Sequence, residues 1–176
     1  LLMAVWVGLW GESCTVRWRL IWKWLMTQYS AIFFCASAFI LIVLGALHLW
    51  VTFGASKMAP RDIELLRRMQ EAPPQISRQT TMWQAYVGFN ASHSLGCVLF
   101  GLIYGYLAWF RSDVLLGSTF LLLVGDVVLL TYGYLSIRYW FRTPFYCVCV
   151  ANIFYVFGLI SSFLQFGKFS VLWTWL

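Results

Sequence analysis

Long apolar stretches alternate with short polar connections along this chain, and four of the stretches are long enough to cross a bilayer, which takes about 20 mostly apolar residues. They run over about 30–53, 82–110, 114–136 and 144–165. The connections are short, apart from a charged loop at 56–81. This pattern predicts an all-α membrane protein, a four transmembrane helix bundle, in which residues 30–176 form one transmembrane domain. Inside the loop, Pro60 is suited to the first position of a helix, and Ile63, Leu66 and Met69 recur on one side until Pro73 and Pro74 stop it. A short amphipathic loop helix is expected there.

Residues 1–29 follow a different pattern. Trp6, Trp10, Trp18, Trp22 and Trp24 are interleaved with Arg17, Arg19 and Lys23, a mixture that favours the headgroup zone, where rings are half-buried and charges stay wet. A Trp-rich interfacial N-terminal helix is expected. Trp173 and Trp175 give the other end of the chain the same character. Both ends are read as surfaces for a partner protein or for bound lipid.

The polar residues within the spans carry the candidate chemistry. In the second span Tyr86, Asn90, His93, Cys97 and Tyr104 share one helical face. Gly88, Ser92 and Gly96 form a small-xxx-small row on another face, and Gly101 with Gly105 makes a GxxxG; such rows let helices pack closely. His48 in the first span lies on a stripe with Ser37, Leu41, Gly45 and Thr52. Asp126 is the only charge within the third span, and an ionisable group at that depth costs at least ~2.5 kcal/mol. Counted from the loop side, His48, His93 and Asp126 fall within roughly 10 Å of one another in depth.

Two readings follow. The polar groups can stitch helices together through hydrogen bonds worth about 1 kcal/mol each. Alternatively, the chain handles electrons or protons within the membrane, binding a haem, a metal or a quinone-like ligand through His48, His93 and Asp126, with Tyr86 and Asn90 beside them in a polar intramembrane cluster.

Composition decides the class. Hydrophobic residues make up 62% of the chain and charged residues 10%, with a mean hydropathy of +0.79; soluble domains carry about a quarter charged residues. The net charge of +6 does not indicate nucleic acid, because the basic residues flank the apolar stretches. Four of the five cysteines (Cys14, Cys35, Cys97, Cys147, Cys149) lie in apolar segments and read as small buried residues. Cys147 and Cys149, two apart on a helix, point to different faces. No phosphate-binding loop, paired-carboxylate arrangement or nucleophile elbow is present. These features favour a non-enzymatic structural or accessory subunit of a larger membrane complex. Its expected partners are other membrane protein subunits and membrane lipids, and its expected location is a bacterial inner membrane or an organelle inner membrane.

The segments Gly-Ala-Leu-His-Leu-Trp (45–50), Arg-Gln-Thr-Thr-Met-Trp (78–83), Gly-Phe-Asn-Ala-Ser-His-Ser-Leu-Gly (88–96) and Arg-Tyr-Trp-Phe-Arg-Thr-Pro-Phe (138–145) together resemble a family of small, uncharacterised bacterial four-helix integral membrane proteins. The resemblance covers about residues 35–165. It implies the four-span fold and draws His48, Asn90 and His93 into the family's motif, while the extension before residue 30 lies outside it.

Overall fold

The computed structural model describes the backbone of residues 2–54 and 56–173, and the side chains of residue 25 and of residues 27–54 and 57–164. All its described elements are helical: α1 (Leu2–Gly54), a single 3-10 turn (Ser56–Met58), α2 (Ile63–Glu71), α3 (Met82–Phe110), α4 (Ser112–Gly117), α5 (Thr119–Tyr139) and α6 (Arg142–Trp173). Four segments are long and apolar enough to cross a membrane: Thr27–Gly54, Met82–Phe110, Thr119–Tyr139 and Arg142–Leu164. The protein is a multi-pass integral membrane protein with a four-helix transmembrane bundle.

Local sequence explains the boundaries. Between Gly11 and Gly45 the chain has neither glycine nor proline, so α1 passes through residues 29 and 30 without leaving the helix. α3 begins where expected, because Thr81 and Gln84 form a capping box: the Thr81 hydroxyl accepts from the Gln84 amide at 3.2 Å, and the Gln84 side chain accepts from the Thr81 amide at 3.2 Å. The third span departs from the expected start at residue 114. Ser118 takes an extended conformation and its hydroxyl accepts from the Leu121 amide at 3.3 Å, which starts a new helix and sets Ser112–Gly117 apart as α4. The loop helix also begins later than Pro60. Asp62 caps it by accepting from the amides of Glu64 and Leu65, so the first helical residue is Ile63. Pro144, expected to open the fourth span, lies in the first turn of α6, where its missing N–H leaves no helical bond unmade.

In the bundle α1 packs against both α3 and α6, and α5 packs on α6. α3 and α5 are joined by side chains: the Tyr104 hydroxyl donates to the Leu121 carbonyl of α5 at 2.8 Å. Buried positions include Ser30, Ala31, Ser37, Ala38, Ser94, Cys97, Ala108, Ser136, Ala151 and Ser162, while Phe39, Trp50, Phe89, Phe120, Ile137 and Phe163 face outward. A membrane favours this inside-out distribution. Lipid solvates large apolar side chains, so helix association depends on close packing of small residues and on interhelical hydrogen bonds. Gly45 and Gly101 make the α1–α3 contact close: a Cβ at Gly45 would lie 2.7 Å from the Ser94 carbonyl oxygen, and one at Gly101 would lie 2.6 Å from that of Ala38.

Candidate functional site

The two histidines meet. His48, six residues before the end of α1, and His93 in α3 have ring centroids 5.8 Å apart in an edge-on arrangement. His48 Nε2 lies 3.1 Å from Asn90 Oδ1. Asn90 Nδ2 donates to the Tyr86 carbonyl at 2.8 Å, which turns Oδ1 toward His48, so His48 Nε2 carries the proton and donates. The backbone around this contact is also tied in: the Thr52 hydroxyl donates to the His48 carbonyl at 2.8 Å, and the Ser94 hydroxyl donates to the Asn90 carbonyl at 2.7 Å. Tyr86 reaches away from the histidines, donating to the Met58 carbonyl at 3.2 Å and stacking on Trp83 at 5.6 Å.

Aromatic rings enclose His93. Trp140, the C-cap of α5, lies 4.7 Å from it and Tyr132 lies 5.4 Å from it, both edge-on. Tyr132 reaches across to α3, where its hydroxyl comes up against Gly96. Gly96 makes room for this crossing, since a Cβ there would be 3.1 Å from the Tyr132 hydroxyl. The sequence does not single out Tyr132, and Trp140 enters there only as part of the 138–145 segment. An aromatic one helix away from a histidine leaves no spacing signal.

Asp126 stands apart. It lies seven residues after the start of α5, about 10 Å into the span, and lines a groove of about 330 Å³ between α4, α5 and α6 with Leu116, Gly117, Thr119, Leu159 and Ser162. Tyr132 is six residues further along α5, which on a helix is about 9 Å of rise and most of the way to the opposite face. Among the described residues no group of three or more His, Cys, Asp or Glu converges. Asp126 therefore does not join His48 and His93: it lies earlier in α5 than Tyr132, the residue of that helix that meets His93, and on another face.

The small-residue rows divide in the same way. Gly101 and Gly105 lie against α1, with a Gly105 Cβ reaching ordinary contact with Ala38 at 3.5 Å. Gly88 faces open space, and Ser92 is exposed with its hydroxyl turned back to the Phe89 carbonyl. Cys35, Cys97, Cys147 and Cys149 are free thiols. The side chains of Trp6, Trp10, Trp18, Trp22, Trp24, Trp173 and Trp175 lie outside the described residues.

A bis-histidine haem requires two imidazole nitrogens aimed at one centre and a slot for the macrocycle between them. Here Nε2 of His48 is directed at Asn90, and the ring of His93 is packed by Tyr132 and Trp140. These residues do not fit that group. What the arrangement does offer is a polar contact that holds the ends of α1, α3 and α5 together. No family model, curated protein or solved structure matches this chain.

Proposed function

We propose that this protein is a non-enzymatic structural or accessory subunit of a larger membrane assembly, in a bacterial or organelle inner membrane. One observation carries the reading: the polar side chains that meet in the bundle are spent on contacts between its own helices, His48 on Asn90, Tyr104 on Leu121 and Tyr155 on Leu122. The Trp-rich segment would be the part that engages other subunits and lipids. α1 runs as one helix from Leu2 into the first span, and the residues that lead into that span, Trp22, Lys23 and Trp24, are of the kinds that suit a headgroup-level interface.

The test is the size of the particle that carries the tagged full chain after mild solubilisation of its native membrane. A discrete assembly with stoichiometric partners is expected, and it should dissociate when Trp6, Trp10, Trp18, Trp22 and Trp24 are all replaced by Leu. A chain that runs alone, or an assembly indifferent to those five residues, removes the reading.

The contact between His48 and His93 favours one other role, proton handling or redox chemistry within the membrane. A visible absorption band in the purified protein that disappears in His93→Ala would establish this second role in place of the first.

A further inference from the structure

The carboxylate of Asp126 has a different environment from every other described acidic side chain. Asp62 accepts two backbone amides, Glu64 and Glu71 pair with Arg67, and Asp113 pairs with Arg111. Asp126 has no hydrogen-bond or ion-pair partner among the described residues, although it lies within a span. It opens into the groove of about 330 Å³ whose other walls are mostly aliphatic and aromatic: Leu116, Leu122, Leu123, Leu159 and Phe163. Two hydroxyl residues, Thr119 and Ser162, complete the lining. Small-molecule sites have this character, an apolar cleft of at least ~300 Å³ with a few polar groups that fix orientation. A carboxylate within a span calls for a cationic partner.

We propose that this groove is a binding site for a lipophilic amine, with a monocationic ammonium head on Asp126 and an alkyl or aryl tail along Leu122, Leu123, Leu159 and Phe163. An anionic amphiphile would be repelled by the carboxylate and an alcohol could offer it only a neutral hydrogen bond, weaker than the charge-assisted one from an ammonium, so the site favours the amine. The groove involves neither histidine and does not depend on whether the protein belongs to a larger assembly.

Dodecylamine is the probe, titrated at neutral pH into the full-length protein in nonionic micelles, with dodecanol as the uncharged control and thermal stability as the readout. A saturable rise in melting temperature is expected for dodecylamine and not for dodecanol. Asp126→Asn should weaken the amine about tenfold or more, since removing one member of a desolvated charge pair exacts that much. Gly117→Leu is a second, independent arm. Gly117 is part of the groove's lining and a Cβ there meets nothing within 4 Å, so a leucine has room without displacing a neighbour; its bulk is expected to take up groove space and weaken the amine about tenfold or more. Equal binding by the wild type and either variant, or equal response to dodecanol, overturns the proposal and leaves Asp126 for a basic side chain on a partner helix. If Asp126→Asn does not purify as a single species, the result with Gly117→Leu decides.

Discussion

At Gly125 one absent methyl group sets how closely three helices meet. A Cβ built there would lie 2.7 Å from the Tyr104 ring of α3 and would run into the Tyr155 hydroxyl of α6. Gly125→Ala is therefore expected to destabilise the bundle by about 1–3 kcal/mol, the usual cost of overpacking. Gly88→Ala should behave oppositely: its Cβ meets nothing within 4 Å, and replacing glycine inside a helix contributes up to about 1 kcal/mol. Reversible unfolding in mixed micelles compares the two, and a greater loss at Gly88 would sink the packing argument. Gly88 is one of the glycines that regular spacing picks out, whereas Gly125, beside Asp126, belongs to no small-xxx-small row. Spacing tells which residues share a stripe of one helix. Which stripe meets a neighbour depends on where the other helices lie, and a single helix carries no record of that. His48, Asn90 and His93 were legible for the complementary reason: polar groups in apolar spans are costly enough to single themselves out. Their aromatic enclosure by Tyr132 and Trp140 was not.

Helix α2 shows how far an element can be read from its own residues. Arg67 bridges Glu64 and Glu71 at 2.8 Å each, and Arg68 reaches Glu64 at 3.0 Å, all on an exposed surface. These guanidinium groups hold the Glu64 carboxyl below its ordinary value of 4.5. A carboxyl whose folded-state value is depressed supports the helix fully above the ordinary value, and that support is lost as pH falls through the depressed one. The Cα chemical shifts of residues 63–71 in the full-length protein are thus expected to stay helical from neutral pH down to about 4.5 and to move toward coil below it. Glu64→Gln should flatten most of that change. A transition centred well above the ordinary carboxyl range would remove Glu64 as its cause. The same local logic locates α3, whose capping box is written in Thr81 and Gln84. It fails between α4 and α5, where an apolar run hides a helix break and only the Ser118 hydroxyl marks the new start.

Across the whole molecule, polar anchoring differs between the two ends of the bundle. Toward the long loop, His48, Asn90 and His93 join α1 to α3, with Tyr132 and Trp140 of α5 closing over them. Toward the other end, tyrosines from two helices grip consecutive carbonyls of α5: Tyr104 of α3 donates to Leu121 at 2.8 Å and Tyr155 of α6 donates to Leu122 at 2.9 Å. The two bonds are not equivalent. α5 already packs on α6, but across the α3–α5 seam the helices meet through side chains, so loss of the Tyr104 hydroxyl leaves less to hold that seam. Each Tyr→Phe change should cost about 0.5–1 kcal/mol in stability, yet their effects on motion should differ. Spin labels at the exposed positions Tyr106 of α3 and Leu123 of α5 are expected to give a broadened distance distribution in Tyr104→Phe and an unchanged one in Tyr155→Phe. Equal broadening in the two variants would mean that α5 is held as a unit by the whole bundle. Broadening confined to Tyr104→Phe would identify the α3–α5 seam as the place where the bundle opens first.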